Sequence, residues 1–139
     1  MDRRTKAREI AMQALYQLDV QGDNYLQQVE LFLKESSTDD MVFGLAVEWT
    51  RKTWENLAAC DELIKEAAIK WDLARLSSVD RSILRLATYQ LVFCEDMPGK
   101  VVINEAIEIA KKYSGHQSPR FVNGVLDAIL RRSREDKLQ

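Results

Sequence analysis

A chain of 139 residues, 46% of them hydrophobic, can bury a sizeable core as one domain, but five glycines and two prolines are too few for the turns of an all-β fold. The net charge of −2 averages two basic ends around an acidic middle, which excludes a uniformly basic nucleic-acid binder but not one whose fold gathers the ends together. No apolar run reaches the roughly 20 residues needed to cross a bilayer, and the basic start lacks the apolar stretch of an export signal, so the expectation is a cytoplasmic protein with no membrane contact.

Thr5 to Val20 reads as the first helix. Ala7, Ile10, Ala11, Ala14, Leu15 and Leu18 recur at helical spacing and predict its core face. Arg4, Arg8, Met12 and Tyr16 follow at steps of four on an adjacent stripe. Two readings of that stripe stand side by side: a solvated basic flank with Tyr16 at the core edge, or a strip that tracks phosphates and stacks a base. Gly22-Asp23-Asn24 ends this helix and starts a second, whose apolar face is Tyr25, Leu26, Val29, Phe32 and Leu33.

Ser36 to Asp40 forms a loop and a helix start. The long helix that follows turns Val42, Phe43, Ala46, Val47, Thr50, Trp54 and Leu57 inward. Gly44 within it suggests a close helix contact, and Cys60-Asp61 a break before a further helix through Leu63, Ile64, Ala67 and Ala68. Trp71-Asp72-Leu73 reads as a connector.

Val79 to Phe93 is apolar around most of its circumference, as in a helix buried by several neighbours. Ser77 or Ser78 can cap it, and Asp80 in its first turn suits the helix dipole. Its polar residues Arg81, Arg85 and Thr88 share one stripe, which predicts a seam open to solvent or to a partner. Pro98-Gly99 punctuates the chain, and Lys100 to Tyr113 is amphipathic with Val102, Ile103, Ala106, Ile107, Ala110 and Tyr113 on one face. Ser118-Pro119 predicts an N-cap followed by proline at the first helical position. Val122, Val125, Leu126 and Ile129 then face the core, Gly124 suggests a close helix approach, and Arg131 to Arg134 forms a basic, fraying tail.

Motifs for catalysis are missing from the sequence. His116 is the single histidine and stands in a polar loop without neighbouring ligands. Cys60 and Cys94 make neither a metal spacing nor a disulfide framework and read as reduced thiols. Glycine-rich phosphate loops and nucleophile or zinc signatures do not occur.

Arg4 to Tyr16 (RTKAREIAMQALY), Val102 to Lys111 (VINEAIEIAK, after Pro98) and Ser118 to Asp127 (SPRFVNGVLD) resemble, in order, segments of the NusB family, with VDRSILRLATYQL between the first and second. The resemblance covers essentially the whole chain and implies one RNA-binding domain over residues 1–139. It implies an all-α fold, about seven helices in two small bundles sharing a long central helix. It also implies a protein that is not an enzyme and needs no cofactor or metal. Family members bind the boxA segment of single-stranded nascent RNA with the ribosomal protein NusE. Together they help load a termination-resistant complex onto RNA polymerase, notably during ribosomal RNA synthesis.

By residue, the resemblance places Arg3, Arg4, Lys6, Arg8, Tyr16, Arg85 and Phe121 on the RNA surface, and Asp80 and Arg81 toward NusE. Gln117 departs from the acid that relatives often carry before the serine. Two other roles use the same fold: the RNA-binding part of a ribosomal-RNA cytosine methyltransferase, or a structural adaptor whose homodimer hides the basic surface.

Overall fold

Asp2, Asp39 and Ser77 each stand one residue ahead of a helix, and each side chain accepts that helix's first free N–H groups. The structure, a computed structural model, describes residues 2–135. Seven helices run through them: α1 Arg3–Gln21, α2 Leu26–Ser36, α3 Asp40–Glu55, α4 Leu57–Ala67, α5 Ser78–Phe93, α6 Gly99–Tyr113 and α7 Ser118–Glu135. Short 3₁₀ turns at Asp23–Tyr25 and Leu73–Arg75 lie in two of the connections, and no strand occurs among the described residues. Gly22 ends α1 with φ +83°, a conformation that glycine adopts without steric cost, and its N–H returns to the Leu18 carbonyl.

The helices form two small bundles around α5, which touches α1, α3, α4, α6 and α7. Side-chain contacts give their directions. Arg8 meets Gln90 near one end of α1 and Asp19 meets Arg81 near the other, so α5 runs antiparallel to α1. Thr5 meets Glu105 and Gln13 meets Tyr113, so α6 runs parallel to α1. α6 and α7 form an antiparallel hairpin that closes tightly at Gly99, where a Cβ would stand 2.6 Å from Leu130 Cδ1.

The predicted core face of α1 is buried throughout, as are Val122, Val125, Leu126 and Ile129 of α7. Several expectations need correction. Gly44 and Gly124 are exposed with open space where a side chain would stand, so neither marks a close helix contact. The break after α3 falls at Asn56, whose side-chain amide donates to the Lys52 carbonyl; Asp61 lies inside α4 and caps nothing. Trp49, absent from the predicted inner face, is buried, whereas Trp54 is half-buried and donates from Nε1 to Asp23. The Arg81–Arg85–Thr88 stripe is not an open seam, because Thr88 is fully buried and Arg85 is 8% exposed. α7 continues through the arginine tail, where Arg134 Nη2 donates to the Met97 carbonyl at 2.7 Å.

Candidate nucleic-acid interface

At the N-terminal end of α1 the basic residues divide. Arg3 pairs with Asp39 at 3.0 Å on the surface. Arg4 and Lys6 are exposed and make no ion pair among the described residues. Arg8 is 4% exposed. Its Nε donates to Gln90 Oε1 at 3.2 Å, its Nη1 reaches Glu105 at 3.4 Å, and its guanidinium lies 5.2 Å from the centroid of a Trp49 ring. Burial lowers its pKa from the ordinary arginine value, partly offset by Glu105. Met12 is buried as well, so the stripe from Arg4 to Tyr16 reaches solvent only at its two ends.

At the other end of α1, Asp19 accepts from two arginines on successive turns of α5. Arg81 Nη2 and Arg85 Nη1 each lie 2.7 Å from it. Arg85 also forms a two-pronged pair with Asp61 of α4, at 2.8 and 2.9 Å. Burial opposes the charge of Arg85, but Asp61 and Asp19 outweigh that penalty and raise its pKa. Burial likewise opposes the Asp19 carboxylate, and bonds from Arg81, Ser78 and Arg85 overcome it and lower its pKa. Arg81 Nη1 reaches past the helix to the carbonyls of Leu73 and Leu76 at 3.0 and 3.2 Å, which fixes the connector before α5. Each nitrogen of the Arg85 guanidinium is thus engaged inside the molecule.

Asp80 is held in the same way. Its two oxygens accept from the hydroxyls of Ser114 and Ser118, at 2.6 and 2.9 Å, and tie the α6–α7 loop to the start of α5. Ser118 is therefore drawn to Asp80 and lies within α7 rather than capping it, while Phe121 N–H donates to the Gln117 carbonyl.

Beside this junction lies a groove of about 750 Å³ whose walls include Trp71, Asp80, His116, Gln117, Arg120 and Phe121. The Phe121 ring, half-buried, packs on Trp71 with centroids 5.1 Å apart. Arg120 is exposed and makes no ion pair among the described residues. Tyr16 is 40% exposed. It lies one turn beyond Gln13, which meets Tyr113 at the end of α6, so it belongs to the same end of the molecule. Phe121 and Asp80, read from sequence as facing different partners, line one groove. Trp71 was read from the sequence only as part of a connector; the signal for more was a large aromatic ring in such a position.

No group of three or more His, Cys, Asp or Glu side chains that could hold a metal occurs among the described residues. Burial pushes the Cys60 thiol up to about 12 and also raises Cys94, so neither is an activated nucleophile. No helix among the described residues is long and apolar enough to cross a membrane.

Residues 5–131 match the description of the NusB family. The transcription antitermination protein NusB of Bacillus cereus is 48% identical over 131 residues, covering 93% of this chain and 97% of its own. The solved T. maritima NusB superposes with a TM-score of 0.84 at 39% identity, covering 99% of this chain and 97% of its own. A solved complex of the antitermination factors NusB and NusE with double-stranded RNA matches with a TM-score of 0.85 at 26% identity, over 95% of this chain and 98% of the other. The chain belongs to the NusB family.

Proposed function

We propose that this protein is a transcription antitermination factor. It binds boxA RNA together with NusE and helps assemble a termination-resistant RNA polymerase complex, notably on ribosomal RNA genes. The observation that carries the reading is the likeness, over nearly the whole chain, to a NusB solved with NusE and RNA. The open aromatic groove beside the unpaired Arg120 supports it. The protein acts in the cytoplasm as a single domain and by binding alone, without catalysis, cofactor or metal.

In this reading Arg4, Lys6 and the added Arg120 neutralise phosphates, with Arg3 joining once released from Asp39. Tyr16 and Phe121 offer ring faces to unpaired bases. Arg8 and Arg85 serve the RNA surface as positioning residues, because their guanidinium groups are engaged internally. Asp80 sets the loop edge that faces NusE, and Arg81 acts there by placing the connector.

The test is a titration against a short boxA RNA and a scrambled control, with and without NusE, at two salt concentrations. Tighter binding to boxA, rising further with NusE, is expected. Arg4→Ala lowers affinity and reduces the salt slope by about 0.7 if it removes one single-strand phosphate contact. Equal, weak and strongly salt-dependent binding to both RNAs sinks the proposal. A dimer that ignores RNA favours a structural homodimer instead.

A further inference from the structure

Three tryptophans occupy three environments. Trp49 is 3% exposed, Trp54 is half-buried with Nε1 bonded to Asp23, and Trp71 is 58% exposed. A solvent-facing indole on a connector contributes little to a core, yet this one is held in place. The Trp71 backbone N–H donates to the Ala68 carbonyl at 2.9 Å. Asp72 caps the next turn through Ala74 N–H, and Arg81, itself anchored on Asp19, holds the Leu73 and Leu76 carbonyls.

One side of the ring leans on Phe121 at an interplanar angle of 53°. The Trp71–Phe121 pair forms a ridge between the 750 Å³ groove and a second groove of about 320 Å³ floored by Ala67, Ala68 and Val125. Arg120 lines both grooves. Lys70 lines the second, and it is exposed without an ion pair among the described residues. An open aromatic face beside unpaired cations is the arrangement that binds single-stranded nucleic acid, where stacking supplies affinity and cations meet phosphates. A ring carried on a held backbone and already packed against Phe121 has less freedom to lose on binding.

We propose that Trp71 is a base-stacking residue: an unpaired base of a single RNA strand lies against its open face, and the strand crosses the Trp71–Phe121 ridge from one groove to the other beside Arg120. The proposal rests on the RNA-binding function above and adds a residue and a path to it. A protein partner on the same ridge is the competing occupant.

The experiment uses the full chain with the boxA RNA strand and with that strand paired to its complement. Stacking on a base quenches indole emission, so the single strand is expected to quench wild-type fluorescence and the duplex to quench it far less. Trp71→Ala is expected to bind the single strand roughly 5- to 100-fold more weakly, and Trp71→Phe to bind within about threefold of wild type, since its ring still stacks. Thermal unfolding followed by circular dichroism is expected to match wild type for both variants, because the side chain is largely exposed. Equal RNA binding by wild type and Trp71→Ala overturns this inference and leaves the antitermination reading standing. So does weaker binding by Trp71→Ala without any quench in wild type, which reduces Trp71 to a prop for Phe121. An emission change on adding NusE without RNA that is absent from Trp71→Phe assigns the ridge to protein and overturns it too. Failure of wild type to prefer boxA removes the functional reading first, and this one with it.

Discussion

The two ends of α1 each bury arginine, by different means. At the N-terminal end, Arg8 comes from α1 itself and gathers a neutral amide, an aromatic face and one carboxylate at 3.4 Å. At the other end α1 supplies the acid, and Arg81 and Arg85 reach it from α5 at 2.7 Å, with Asp61 adding a second carboxylate to Arg85. Desolvation dominates at Arg8, whose pKa falls, whereas the carboxylates win at Arg85, whose pKa rises. An arginine on a helix stripe is therefore no guide to a nucleic-acid surface until the acids around it are known.

The largest expected effect breaks the second end. Asp19→Ala leaves two arginines short of a carboxylate in a mostly buried site, and urea unfolding is expected to show a loss of about 3–5 kcal/mol. A loss below about 1 kcal/mol would place the stability of this end elsewhere.

Arg8→Ala comes next, at about 2 kcal/mol, for the lost contacts to Gln90 and Trp49. Arg8→Met sharpens the contrast. An apolar chain of similar length escapes the desolvation penalty, so it is expected to lose clearly less than Arg8→Ala in the same measurement. If methionine proves as costly as alanine, the charge of Arg8 matters as much as that of Arg85.

The pH dependence separates the ends further. Opposed by burial but overcome by its arginine partners, the Asp19 carboxyl titrates below its unfolded value of about 3.9. Its contribution is complete above that unfolded value and is lost as pH falls through the lower folded one. Glu9 is also depressed: burial opposes this, and bonds from Lys112 and Tyr113 outweigh it. Urea midpoints measured from pH 5 downward are expected to fall less steeply in Asp19→Asn than in wild type; parallel curves would remove Asp19 from the acid response.

The smallest effect lies away from both ends. Gly44 sits within α3 with open space around it, so Gly44→Ala is expected to raise stability by up to about 1 kcal/mol. A decrease would reveal a contact at that face.

The helices were legible because their signal is local. Ala7 through Leu18 repeat at the helical period, and the same chain segment supplies both the pattern and the face it buries. Asp39 and Ser77 were readable as helix starts for the same reason. The candidate site was legible in part: Tyr16 and Phe121 reach solvent at the same end of the fold. Arg8 and Arg85 were misplaced as surface groups because what draws them inward is distant in sequence. Gln90 is 82 positions from Arg8, and Asp19 is 66 from Arg85. Gly44 and Gly124 misled for a simpler reason, since a glycine in a helix can be mere tolerance of a small cost.

The order in which these contacts become possible also bears on synthesis. Gln90, Met97 and Glu105, three groups that hold Arg8, lie 82, 89 and 97 positions after it and leave the ribosome later. Asp19 must likewise wait for Arg81 and Arg85. A nascent chain that has completed only α1 to α3 exposes apolar faces and carries charges whose mates do not yet exist. Non-local contacts of this kind close only after the intervening chain is available. A ribosome stalled before residue 90 should therefore display a protease-sensitive chain, and one stalled well beyond α6 a resistant one.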